Sequence, residues 1–122
     1  MEKPKILVVD DEPQALELLK AFLQIKGYAV MTASSGAEAL TVLEERRPHL
    51  ILLDVMMPGM DGLETLRRIR ERDQAVGILM ITAANDEEIA KKAVRQGAYD
   101  YITKPIDLAY LELAILTRLA KS

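Results

Sequence analysis

The sequence predicts an α/β domain: a doubly wound parallel sheet of five strands in the order 2-1-3-4-5, with five helices covering both faces. Three observations predict it. Five short apolar runs bounded by turn residues alternate with five amphipathic stretches, the pattern of strand, crossover helix and parallel strand. Each connection is long enough to hold a helix, and right-handed crossovers fold those helices back onto the sheet. Two of the runs, Ile6-Leu7-Val8-Val9 and Leu50-Ile51-Leu52-Leu53, stop abruptly on carboxylates, Asp10-Asp11-Glu12 and Asp54. Two buried strands thus deliver acid to one edge of the sheet.

The elements follow in order. Lys5 to Val9 is the first strand. Pro13 suits a helix's first turn, with Asp11 or Glu12 near the cap, and Ala15, Leu18, Leu19, Phe22 and Leu23 recur at helical spacing until Gly27. Tyr28 to Ala33 reads as a second strand. Ser34-Ser35-Gly36 then opens a helix with Ala37, Leu40, Val42 and Leu43 on its apolar side, ended by Arg46-Arg47-Pro48. The third strand runs to Asp54, and Met57-Pro58-Gly59 marks the loop beyond it. Leu63, Leu66 and Ile69 space the third helix, whose other side, Arg67, Arg68, Arg70, Glu71 and Arg72, reads as a solvated charged face. Ile78 to Ile81 is the fourth strand and leads into Thr82. A fourth helix turns Ile89, Ala90, Ala93 and Val94 inward and closes at Gly97. Tyr99 to Thr103 is the fifth strand, followed by Lys104-Pro105. Leu108, Leu111, Ile115 and Leu119 line the last helix, which runs nearly to Ser122.

Length and composition bound the rest. A chain of 122 residues, half of them hydrophobic, is the size of one domain, expected to span 1–122. The net charge of −3 gives no basic field for nucleic acid. With no cysteine there is no disulfide, thiolate metal site or thiol nucleophile. Neither a membrane span nor a signal peptide is legible, so the expected setting is the cytoplasm.

In a sheet of this order ligands bind outside the carboxyl ends of the strands, at the switch point between strands one and three. Those strands carry Asp10, Asp11 and Asp54. Clustered carboxylates repel, so a compensating cation is expected, and Mg²⁺ is commonly held by one or two carboxylates with waters and a phosphate. Strands four and five add Thr82 and Lys104. A hydroxyl and an ammonium beside a carboxylate suit a phosphoryl group: Lys104 neutralises its oxygens, Thr82 hydrogen-bonds one, and Asp54 is placed to attack.

These blocks together, Ile6 to Glu12, Leu53 to Gly62, Thr82-Ala83 and Tyr101-Ile102-Thr103-Lys104-Pro105, resemble the receiver domain of bacterial two-component response regulators along the whole chain. The resemblance implies a flavodoxin-like fold, and a phosphoryl group accepted on Asp54 from a sensor histidine kinase or a histidine phosphotransfer domain. It implies that Asp11, Asp54 and the backbone carbonyl of Met56 ligate Mg²⁺, with Asp10 acting mostly through water. It also implies a cis bond before Pro105, a switch made of Thr82 and Tyr101, and an output surface on helix four, strand five and helix five. Lys91, Lys92 and Arg95 on the fourth helix read most simply as solvated charge, the alternative being a docking or dimer face with Asp100 or Asp107. Met56 and Ala84 occupy the two positions that tune phosphoryl lifetime in the family, and neither side chain can orient a water. The run Gly97 to Tyr101 with Ile106-Asp107-Leu108 is similar to receivers of the nitrogen-regulation type.

Other readings meet obstacles. Aspartyl-nucleophile phosphatases need a second aspartate two residues after the first, where this chain has Met56. A flavin mononucleotide carrier of the same fold needs a hydroxyl-rich loop after strand one, and Asp10-Asp11-Glu12 would repel its phosphate. A receiver that had lost phosphorylation and served only as an interaction module would not need the full residue set present here. His49, the only histidine, precedes Asp54 by five residues, about 16 Å along a strand, and reads as a surface or structural residue. Met56, Met57 and Met60 in one loop read as packing.

Overall fold

The computed structural model describes residues 2–121, so the first and last residues of the expected 1–122 span lie outside it. A single sheet runs β2-β1-β3-β4-β5, every pairing parallel. The strands are β1 (Lys5–Val9), β2 (Ala29–Ala33), β3 (Leu50–Asp54), β4 (Gly77–Thr82) and β5 (Asp100–Thr103). The helices are α1 (Pro13–Ile25), α2 (Gly36–Arg46), α3 (Gly62–Arg72), α4 (Glu87–Arg95) and α5 (Leu108–Ala120). No helix among the described residues is long and apolar enough to cross a membrane.

The two-residue period of a strand splits the core into two layers. Leu7, Val9, Ile51, Leu53, Ile78 and Met80 pack with α2, α3 and α4. Ile6, Val8, Leu50, Leu52, Leu79 and Ile81 pack with α1 and α5. Because both faces are covered, β3 and β4 are buried at every position, which is why they read as unbroken apolar runs. Register then fixes the edge: Val9 pairs with Leu53 and Asp54 with Ile81, so the residues after β1 and at the end of β3 meet side by side.

Local chemistry sets the helix starts. Ser35 accepts from the Glu38 N–H at 3.1 Å and Asp61 accepts from the Glu64 N–H at 2.9 Å, caps worth about 1 kcal/mol each. At α1, Pro13 takes the first turn, but the Glu12 side chain makes no capping bond. Asp10 instead accepts from the Glu12 N–H at 2.9 Å.

Several expectations shift. Tyr28 precedes β2; its N–H closes the α1 end on the Leu23 carbonyl at 3.1 Å. Strand β4 starts one residue early, at Gly77, and β5 one residue late, at Asp100, although the Tyr99 N–H already bonds to the Ile78 carbonyl at 2.7 Å. Leu18, expected on the inner side of α1, is 62% exposed. Arg70, expected in solvent, reaches across to the α4–β5 turn: its Nε and Nη2 donate to the Gly97 carbonyl at 3.1 and 2.8 Å, and Nη1 donates to the Asp73 carbonyl at 3.1 Å. Burial holds its guanidinium below the usual range. Arg70→Ala is therefore expected to cost about 1–3 kcal/mol by denaturant titration, whereas Arg67→Ala, on the exposed side of α3, should leave the unfolding midpoint nearly unchanged.

Candidate functional site

Asp10 follows β1 and Asp54 ends β3; they are 3% and 5% exposed. One carboxylate oxygen from each of Asp10, Asp11 and Asp54 lies within 4.8 Å of the others. Lys104, just past β5, holds its Nζ 3.6 Å from Asp54 Oδ2 and 3.9 Å from Asp10 Oδ2. The Met56 N–H donates to Asp54 Oδ1 at 3.4 Å. Asp10, Asp54 and Lys104 follow the strand parity of the α1–α5 layer, which explains their convergence on one point.

The electrostatics show an excess of negative charge. Burial, then the Asp10 carboxylate, push Asp54 up to about 6, against the pull of the Lys104 ammonium and the Met56 N–H. One ammonium does not balance three carboxylates. A hard divalent cation would, and an all-oxygen set of clustered carboxylates is the donor chemistry such a cation prefers. The residues present fit Mg²⁺.

Thr82 ends β4, one step beyond the residue paired with Asp54, and is fully buried. Its Oγ1 donates to the Ala83 carbonyl at 3.1 Å, and its own carbonyl accepts from the Lys104 N–H at 2.7 Å. The latter bond ties β4 to β5 just before the cis Lys104–Pro105 peptide. Tyr101 packs on the α4 side and stands outside the carboxylate cluster, its hydroxyl donating to Glu87 Oε1 of α4 at 2.7 Å. Met56 is 52% exposed at the mouth of the site. His49 lies at the other end of β3, where its Nδ1 accepts from the Lys5 N–H at 2.9 Å. On the α4 side, Lys91 pairs with Glu88 at 3.4 Å, while Asp107 caps α5 and Asp100 accepts from the Tyr101 N–H.

Two residues of consequence escape sequence reading. Glu87 looks like an ordinary first-turn acid of α4, yet it holds Tyr101. Gly62 looks like loop, yet its N–H bonds to the Val55 carbonyl at 2.8 Å and the backbone of Asp54 and Val55 comes so close that there is no room for a Cβ. The Asp61-Gly62 pair opening an apolar-periodic helix was the only available signal.

A doubly wound parallel sheet with an acidic pocket and a facing lysine at its switch point has the makings of a ligand site for a cation and an anionic group, the arrangement of a receiver-type signalling domain. Residues 6–116 match the family model described as response regulator receiver domain, and the chain belongs to that family. Among relatives, it is 41% identical over 112 residues to the transcriptional regulatory protein AfsQ1 of Streptomyces coelicolor, covering 92% of this chain and 49% of that protein. It is 46% identical over 101 residues to the alkaline phosphatase synthesis transcriptional regulatory protein PhoP of Bacillus subtilis, covering 83% of this chain and 42% of that one. The chain thus spans about half the length of these relatives. Among solved structures, a response regulator receiver domain protein from Clostridium thermocellum superposes with a TM-score of 0.93 at 32% identity, covering 97% of this chain and 95% of that one. The receiver domain of NtrX from Brucella abortus gives 0.92 at 35% identity, covering 96% and 99%. Receiver domains bind Mg²⁺ at an acidic pocket and are partnered by histidine kinases.

Proposed function

We propose that this domain takes a phosphoryl group onto Asp54 from a phosphohistidine of a sensor histidine kinase or histidine phosphotransfer domain. The observation that carries the reading is the buried Asp54 carboxylate set against Asp10, Asp11 and the Lys104 ammonium. An Asp54 oxygen attacks phosphorus, a new O–P bond forms, and the N–P bond breaks with its electron pair returning to the imidazole. Lys104 neutralises charge on the transferring oxygens, and the Thr82 hydroxyl, once it leaves the Ala83 carbonyl, donates to one of them. Asp10, Asp11, Asp54 and the Met56 carbonyl would hold Mg²⁺, which supplies further neutralisation of phosphoryl charge. The whole chain acts as one receiver unit in a cytoplasmic setting. Phosphorylation adds about −1.5 to −2 charges, drawing Thr82 inward and letting Tyr101 turn in behind it. The α4–β5–α5 surface then changes and serves output or pairing of two copies.

Incubation with Mg²⁺ and acetyl phosphate followed by intact mass measurement tests the reading. One added phosphoryl group mapping to Asp54 is expected; an unchanged mass under saturating metal and donor would reduce the chain to an interaction module. Release is by the domain's own hydrolysis and is expected to be slow, since Met56 and Ala84 offer no group to position water. Met56→Asn with Ala84→Glu should shorten the phosphoryl half-life at least severalfold by the same mass assay; an unchanged half-life would contradict it.

A further inference from the structure

Helix α4 is held very differently at its two ends. At the C-terminal end the Gly97 carbonyl takes two bonds from Arg70, the Ala98 N–H closes on the Ala93 carbonyl at 3.0 Å, and the Tyr99 N–H enters the sheet on Ile78. At the N-terminal end a 3-10 turn (Ala84–Asp86) leads in, and neither it nor α4 has a side-chain cap. Here the Glu87 carboxylate accepts the Tyr101 hydroxyl at 2.7 Å. One end is a clamp; at the other, among the described residues, the Glu87–Tyr101 bond is the side-chain hydrogen bond to another element, beside the core packing of Ile89 and Ala90.

We propose that the Glu87–Tyr101 hydrogen bond is a latch holding the unphosphorylated arrangement, with α4 pivoting about its Arg70-clamped end once the latch opens. The inference rests on the switching role of Tyr101 given above and adds what opposes the switch. The hydroxyl cannot sit 2.7 Å from Glu87 Oε1 and also lie with its ring turned in behind Thr82, so the two positions exclude one another. Bonding to a carboxylate is charge-assisted, so leaving it carries a real cost. That bond, then burial and the charges of Glu87, Asp100 and Glu88, raise the phenol above its ordinary value, at which it is already a donor at neutral pH. Thr82 and Tyr101 follow the parity of the α4 layer, so both change places on the face where the latch sits. Phosphoryl uptake proceeds from the opened arrangement, so whatever weakens the outward state raises the population that reacts and with it the initial rate.

The test compares the wild-type chain with Glu87→Ala, Glu87→Gln, Tyr101→Phe and the Glu87→Ala/Tyr101→Phe double variant. Two quantities are read: the initial rate of phosphoryl uptake from acetyl phosphate with Mg²⁺, and the aromatic-ring NMR shifts of residue 101 before and after phosphorylation. Glu87→Ala should raise the rate about three- to tenfold and move the unphosphorylated ring signals toward their phosphorylated positions. Tyr101→Phe should match that rate, the double variant should gain nothing more, and Glu87→Gln, which keeps an acceptor but loses the charge, should fall between wild type and Glu87→Ala. The latch is refuted if Glu87→Ala leaves rate and ring signals unchanged while phosphorylated wild type shows a ring shift, or if the two single effects add in full. If phosphorylated wild type shows no ring shift, the switching role itself fails, a result distinct from failure of the latch alone.

Discussion

Asp54→Asn is expected to end phosphoryl uptake and, in the same protein, to raise the stability of the metal-free fold. The first effect follows from chemistry: an amide oxygen lacks the carboxylate's nucleophilic charge, and no other carboxylate of the site occupies the end of β3. Asp10 is also buried, but it follows β1 and does not stand at the end of β3. No added mass should appear with acetyl phosphate, and none should migrate to Asp10 or Asp11. The second effect follows from burial, since asparagine removes a charge that burial and Asp10 both penalise.

The pH dependence carries the sign. Asp54 titrates near 3.8 in the unfolded chain and at about 6 in the fold. Between those values the native state binds the extra proton, so stability falls as pH rises. The contribution is fully present below 3.8 and gone above about 6, a difference of about 3 kcal/mol as an upper figure. Denaturant titrations of metal-free wild type from pH 4 to 7.5 should show this decline superimposed on other titrations, and Asp54→Asn should lack it. Saturating Mg²⁺ should restore wild-type stability at pH 7.5 through binding to the native state alone and leave the variant much less affected. Equal pH profiles for the two proteins would mean that the Asp54 carboxylate is not penalised by its surroundings.

Much of this site can be read from one-dimensional pattern, for a definite reason. A strand buried on both faces must be apolar throughout, so the residue where the run stops marks its end, and Asp10 and Asp54 announce themselves. Parity does the rest: Lys104 shares the side of Ile102, which packs with α1 and α5, and Tyr101 takes the other side. What pattern does not carry is the identity of a partner far along the chain. Periodicity places Leu18 inward because it stands three residues after Ala15 and four before Phe22, yet the helix rolls so that Leu16, Leu19 and Leu23 take the core and Leu18 is exposed. Arg70 sits in a run of charges and differs from Arg67 only in facing Gly97, 27 residues on. Glu87 meets Tyr101 across 14 residues. Each is a three-dimensional coincidence of position, set by how α3 and α4 lie on the sheet.

Gly62→Ala should have the largest stability effect of any single methyl group added to this chain near the site. A Cβ at Gly62 would stand 2.4 Å from the Asp54 carbonyl oxygen and 2.7 Å from Val55 Cα and O, all backbone atoms with no rotamer to yield. Moving α3 away would break the Gly62 N–H bond to the Val55 carbonyl; moving β3 away would strain the Val55 N–H bond to Ile81 at 2.9 Å. A cost of about 3 kcal/mol or more is expected by denaturant titration. Gly59 provides the contrast: its φ of +75° favours glycine, but a Cβ there meets nothing within 4 Å, so Gly59→Ala should cost only about 1 kcal/mol. The two substitutions also separate in function. Gly62 abuts the residue that bears the attacking carboxylate, so folded Gly62→Ala should accept phosphoryl more slowly than wild type even at a temperature where it is fully native. Gly59→Ala should keep the wild-type rate. Equal stability losses at the two glycines would show that the β3 end and the α3 start tolerate separation, and that the tight approach of α3 is not what fixes Asp54 in place.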